Sequence, residues 1–407
     1  MFRKIFFWLH LSAGLIAGLL IAMMAFTGLV QVFEKELIAW SERDVRQIEL
    51  PANENSRLPL DELVRRARET KLDGQPSGIT VFAEPTAAVA IAFGRDTVCY
   101  ANPYTGEIRK PASTRVSDFI HFMERIHRFL GMSEKSTKPV GEAITGATNA
   151  TFLFLSLSGL YLWWTRNWSW RSVRAVTLFN LRLLGKARDF NWHNSVGFCL
   201  SPLLILITLT ALPMSYRWAN NLLFRATGNE PPAQGPGTSP AITVPTPEPG
   251  TKKLGYDALL AAAQNEEPSW TETTIRLGNA RGSGSSNPRR ENRPGEEPRE
   301  RRSESGASGP SGPQAVNITI RAANQWPLFS STALALDPFT GAVLKKETFA
   351  DQNVGRRLRT WARYLHTGEA LGLPGKLHAA FATIGALVLV WTGFALAWRR
   401  FFPRRTA

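Results

Sequence analysis

The sequence predicts a mainly α membrane protein: a four-helix transmembrane bundle made of two parallel repeats, each carrying an α+β module in its exported loop. Three observations predict it: four charge-free apolar stretches, a one-sided distribution of basic residues, and an internal duplication. The stretches 5–33, 143–165, 190–216 and 377–398 contain no Asp, Glu, Lys or Arg. Each is longer than the roughly 20 residues that cross the hydrocarbon core as a helix.

Taken in order, the chain divides into a first span (1–33), an exported module ending in a histidine helix (34–140), and a second span (141–165). A basic loop (166–189) leads to a third span (190–217), a second exported module (218–375), a fourth span (376–398) and a short tail (399–407). The first span is too long for a signal-peptide core and shows no small-residue cleavage site before Glu34, so an uncleaved anchor is expected. The loop between spans two and three carries Arg166, Arg171, Arg174, Arg182, Lys186 and Arg188 against the single acid Asp189. Arg3 and Lys4 flank the first span, and Arg399, Arg400, Arg404 and Arg405 the last. Positive charge stays inside, which puts both termini and this loop in the cytoplasm and both modules on the far side. Much of the formal charge of +15 sits on these flanks. It therefore speaks for topology and anionic lipid, not for nucleic acid.

The duplication is read from offsets. Gly14, Gly18 and Thr27 follow His10 by four, eight and seventeen residues; Gly197, Ser201 and Thr210 follow His193 by the same steps. Each exported loop opens on a helical pattern, at Leu60-Asp61-Glu62-Leu63-Val64 and Tyr256-Asp257-Ala258-Leu259-Leu260. Short β-like runs come next, at 78–82 and 88–93 in the first loop and at 273–277, 316–320 and 331–336 in the second. Both loops then turn on Asn102-Pro103-Tyr104-Thr105-Gly106 or Asp337-Pro338-Phe339-Thr340-Gly341. A side-chain acceptor followed by a proline with preset φ is turn chemistry. Segments of about 229–250 and 279–314 have almost no large apolar residues and are expected to be disordered. Cys99 and Cys199, on an exported strand and within span three, are not expected to form a disulfide.

All six histidines lie in or beside the apolar spans, where an ionisable side chain defaults to a functional reading. The repeat pairs His10 with His193 near the cytoplasmic ends, and His127 with His366 on helices just before spans two and four. Two imidazoles facing each other across a bundle are what a six-coordinate heme iron needs axially. Gly14, Gly18, Gly197 and Ser201 lie on the histidine faces of their helices and would leave room for a porphyrin. Arg3, Lys4 and Arg188 at the inner site, with Arg125, Arg128, Arg363 and Lys376 at the outer, are candidate propionate contacts. Small residues at this spacing also serve plain helix packing. A zinc or copper site would want further histidines, carboxylates or thiolates at one depth. His378 is an extra ligand candidate or proton relay, His121 a surface residue, and Met23, Met24 and Met214 are candidate axial ligands that read better as bundle packing. No nucleotide, flavin or hydrolase pattern is present.

These residues resemble the PepSY-associated transmembrane family, which includes bacterial iron-regulated membrane proteins and siderophore-iron reductases of the ferrioxamine-reductase kind. The resemblance rests on Trp8-Leu9-His10 with Gly14, the two turns above, Ile126-His127-Arg128 with Leu130-Gly131, and the run from Leu365-His366-Thr367-Gly368 to Pro374-Gly375. It implies a multi-pass bacterial inner-membrane protein with PepSY-like periplasmic modules and two heme b groups on His10, His193, His127 and His366. It also implies an oxidoreductase that takes electrons from a cytoplasmic donor and reduces a ferric siderophore or other ferric chelate during iron uptake. The low-complexity insert departs from the family's compact loops. A non-enzymatic periplasmic sensor or scaffold, and a siderophore permease, are the alternatives.

Overall fold

A computed structural model describes residues 1–51, 57–70, 72, 74–94, 97–164, 169–232, 242–277 and 312–403. Its elements in chain order are α1 (Phe2–Val32), α2 (Glu34–Ser41), α3 (Arg43–Arg46), α4 (Leu60–Glu69), β1 (Pro76–Phe82), β2 (Val89–Phe93), β3 (Thr97–Ala101) and β4 (Ile108–Arg109). Next come α5 (Arg115–Phe129), α6 (Lys138–Trp163), α7 (Trp170–Thr177), α8 (Gly185–Ser215), α9 (Arg217–Ala226) and α10 (Tyr256–Asn265). The chain continues through β5 (Trp270–Arg276), β6 (Val316–Ala322), β7 (Thr332–Leu336), β8 (Val343–Glu347) and α11 (Val354–Thr367). A 3₁₀ turn (Glu369–Leu371) then leads into α12 (Gly372–Phe401).

Among the described residues four helical stretches are long and apolar enough to cross a membrane: α1, α6, α8, and the 3₁₀ turn with α12. Each begins ahead of its charge-free stretch, and the last also runs past its far end, because a helix does not stop where its flanking cations begin. Within α8, Pro202 withholds an N–H from the carbonyl of Phe198, and the Ser201 hydroxyl donates to that oxygen at 3.0 Å. A freed backbone acceptor in an apolar span needs such a substitute. α1 packs on α6 and α12, and α8 packs on the same two helices. α1 and α8 therefore stand on opposite corners of the bundle. α5 lies against α1 and α6, and α11 against α8.

Two α+β modules were expected. Instead the strands of both loops form one antiparallel sheet, ordered β4-β3-β2-β1-β5-β6-β7-β8. The join is β1 against β5, with Ile79 opposite Ile275. Separate four-stranded halves would each leave an edge of unpaired backbone groups, and pairing the two removes both edges. The sheet core is Ile79, Ile91, Ile275, Ile318, Ile320, Leu334 and Leu336 beneath Leu63 of α4 and Leu259 of α10. The two covering helices cap each other. Asp257 Oδ2 accepts from the Leu60 N–H at 2.8 Å, and Asp61 Oδ2 accepts from the Tyr256 N–H at 2.8 Å. The turns work as their sequences suggest: Asn102 Oδ1 accepts from the Tyr104 and Thr105 N–H groups, and Asp337 Oδ1 from those of Phe339 and Thr340. Gly106 and Gly341 close them at φ 74°.

Most of the two stretches expected to be disordered, 233–241 and 278–311, lies outside the described residues. Their flanks are ordered: Thr243 bridges Gln314, and Val244 is buried. Arg166, Arg404 and Arg405 also lie outside the described residues. Cys99 is buried on β3 with its thiol pushed up to about 11 by burial; Cys199 is exposed on α8, and both are free.

Candidate functional site

The bundle brings the histidines together as the offsets predicted. His10 of α1 and His193 of α8 meet across the diagonal with ring centres 6.4 Å apart, at the end distant from the sheet. His127 of α5 and His366 of α11 meet at 6.3 Å near the sheet.

Carbonyl acceptors fix the tautomer of two of the four rings. His127 Nδ1 donates to the carbonyl of Met24 at 3.0 Å, and His366 Nδ1 to that of Ile207 at 2.9 Å. Met24 and Ile207 stand fourteen residues after His10 and His193. His10 Nδ1 lies 2.9 Å from Ser158 Oγ, whose own proton goes to the Leu155 carbonyl. His193 Nδ1 lies 3.0 Å from Thr392 Oγ1, whose proton goes to Val388. With their protons so placed, both hydroxyls are free to accept from Nδ1. His127 and His366 thus carry the proton on Nδ1 and a lone pair on Nε2, and the hydroxyl contacts of His10 and His193 suit the same arrangement, in which a second group orients a histidine ligand. Burial, with His366 opposite, pushes the His127 imidazole down to about 4, and burial lowers His366 as well. Neutral imidazole is the form that binds metal.

Room for the rings comes from glycines other than those singled out in the sequence. A Cβ on Gly28 would stand 3.2 Å from His127 Cε1, one on Gly159 3.3 Å from His10 Cε1, and one on Gly393 3.5 Å from His193 Cε1. Each follows a hydroxyl residue in a span: Thr27-Gly28, Ser158-Gly159 and Thr392-Gly393. That recurring dipeptide was the available signal, since the hydroxyl holds the ring and the glycine clears it. Of the small residues expected to make room, Gly18 clears Phe394, which a Cβ there would meet at 2.7 Å, and Gly197 clears Leu389, which a Cβ would meet at 3.5 Å. Gly14 approaches only Leu155, and Ser201 is the hydroxyl that repairs α8.

Two further glycines seat the sheet-proximal pair. A Cβ on Gly141 would strike the carbonyl of Phe129, two residues past His127; one on Gly375 would strike the carbonyl of Gly368, two residues past His366. These close approaches lock each histidine helix onto the span that follows it. We expect Gly141→Ala or Gly375→Ala to cost about 2 kcal/mol through overpacking against backbone. The check is a lowered thermal unfolding midpoint, with Gly14→Ala, which meets only Leu155 Cδ2 at 3.9 Å, unchanged.

Several candidate cations already have partners. Arg128 pairs with Glu124 at 2.7 Å, and buried Lys376 pairs with Glu36, as a buried ammonium requires. Arg125 lies over Phe122 and Arg363 over Tyr364. At the distal end Arg3 donates to the Leu162 carbonyl. Asp189, fully buried one turn before His193, binds both Arg188 at 2.8 Å and Arg399 at 3.0 Å. His378 is exposed and bonded to the Pro374 carbonyl, and His121 stands 3.9 Å from Glu124; neither joins a histidine pair. Among the described residues no group of three or more His, Cys, Asp or Glu is placed to hold a metal ion.

Residues 7–400 match the family model described as PepSY-associated TM region. Curated proteins yield no match.

Proposed function

The chain belongs to the PepSY-associated TM family, and on that premise we propose that it is a di-heme b oxidoreductase of the bacterial inner membrane that reduces a periplasmic ferric siderophore with electrons from a cytoplasmic donor. The single observation that carries this reading is the double meeting of imidazoles across the bundle, each with Nδ1 engaged and Nε2 free.

The spacing supports it. An iron about 2 Å from a nitrogen on each side, with each nitrogen about 1.1 Å from its ring centre, needs roughly 6 Å between ring centres. An edge contact between two rings covers similar distances, but it gives no reason for all four part-buried imidazoles to have Nδ1 engaged by an oxygen. Two nitrogens per pair are also too few for a tetrahedral zinc site. They suffice where a porphyrin supplies the other donors. Bound there, heme would supply one-electron chemistry at two depths of the membrane.

The chain's own residues divide the remaining work. Met24, Ile207, Ser158 and Thr392 orient the ligand rings and raise their basicity. The apolar spans keep water from both pairs. In this reading the two halves are parallel repeats, the termini and the loop 166–189 are cytoplasmic, and the sheet is periplasmic. His127 and His366 then sit where a chelate held beneath the sheet can receive an electron. Ferrous iron binds hard oxygen chelators far less well than ferric iron, so reduction itself frees the metal.

A reduced-minus-oxidised visible spectrum of purified full-length protein, with a heme-to-protein ratio, tests the proposal. A ratio near two is expected. A colourless protein would sink it and leave a periplasmic sensor or scaffold; uptake of an intact labelled siderophore without iron reduction would point to a permease.

A further inference from the structure

α11 carries more positive charge than its surroundings balance. Arg356 is paired with Glu347, but neither Arg359 nor Arg363 has a carboxylate within ion-pair distance among the described residues. Arg359 is half-buried between α11 and α9, and its one bonded partner is neutral: Nε donates to Asn220 Oδ1 at 3.1 Å. Burial, and then the neighbouring Arg363, hold its guanidinium below the ordinary range. Gly355, on the same side of α11, packs on the buried Phe224 of α9, which closes this seam to bulky groups. A guanidinium half-buried in this seam, with the exposed Arg363 one turn further on, is costly unless an anion completes it.

Their place on the helix says which anion. Arg359 and Arg363 precede His366 by seven and three residues, the spacing that keeps side chains on one stripe. Seven residues are roughly 10 Å of helix, so Arg359 lies further from the bundle on the line that ends at His366. The matching stripe of α5 holds the fully buried Ile120 and the acid Glu124, seven and three residues before His127. On this stripe only the second half offers cations.

We infer that Arg359 and Arg363, with Asn220 as a neutral support, form a one-sided clamp for the propionate carboxylates of the porphyrin gripped by His366. The inference rests on the heme reading above. Arg363 alone could serve an exposed lipid phosphate, but the half-buried Arg359 suits a carboxylate that arrives already inside the seam. Guanidinium and carboxylate match in planar, paired geometry. The clamp would also fix which way round the asymmetric porphyrin sits.

The test uses full-length heme-depleted protein in a His10→Ala background, which leaves only the sheet-proximal pair to load. Heme b and its dimethyl ester, which keeps the iron and loses both carboxylates, are titrated by Soret absorbance. With the arginines intact the ester should bind about tenfold more weakly. In Arg359→Gln/Arg363→Gln the affinity for heme b should fall to that of the ester, while Arg359→Lys should fall between. The comparison of the two probes on unsubstituted arginines does not depend on how any arginine variant folds. Equal binding of both probes to intact arginines overturns the clamp and leaves the heme reading standing. If that result comes with less co-purified phospholipid phosphorus in the double variant, the anion is a lipid headgroup. Binding of neither probe overturns both inferences.

Discussion

Replacing His366 by alanine is expected to remove half of the protein's heme and all of its ferric-chelate reduction. Among the described residues no further His, Cys, Asp or Glu joins the pair to replace it, and His378 is exposed and held by the Pro374 carbonyl. His127→Ala should do the same, because either loss leaves one imidazole facing a gap 6.3 Å from the missing ring centre. The distal pair should keep its spectrum and its reduction by dithionite, since His10 and His193 draw their Nδ1 acceptors from α6 and α12 rather than from α5 or α11. The mirrored substitutions, His10→Ala and His193→Ala, should spare the sheet-proximal signal instead. Retention of the full heme complement by all four single variants would overturn the ligand assignment. A smaller loss is expected from Ser158→Ala or Thr392→Ala, which removes an orienting acceptor but leaves the ligand in place.

The second large effect concerns Asp189. Its carboxylate is fully buried and is shared by Arg188 and Arg399, which ties the start of α8 to the end of α12. Asp189→Asn keeps the shape and removes the charge, leaving two guanidiniums facing a neutral amide. Removing one partner of a buried ion group costs about 3–5 kcal/mol. The arginine side chains keep 29% and 38% of their surface, so screening by water should trim this to about 2–3 kcal/mol. The thermal unfolding midpoint in detergent should fall clearly, and the spectrum of the distal pair should weaken first, because His193 is one turn along the same face. Asp189→Leu combined with Arg399→Met should recover much of the loss. An unchanged midpoint in Asp189→Asn would mean that the triad holds nothing together.

Much of this protein was legible before folding was considered. Charge-free stretches of sufficient length force spans, because hydrocarbon tolerates little else, and identical offsets after His10 and His193 paired the histidines correctly. The turns at Asn102 and Asp337 were equally plain, since their bonds are made within five residues. What tertiary structure alone decided lies between segments distant in the chain. The join of β1 to β5 links strands almost two hundred residues apart, and no local pattern distinguishes a free edge from a paired one. Gly18 and Gly197 looked as suited to a porphyrin as Gly28 or Gly393, because a glycine clears space on every side and the neighbour that fills it belongs to another helix. Arg359 showed no special character in sequence. Only its half-burial, with Asn220 as its one bonded partner among the described residues, shows a charge that no carboxylate there answers.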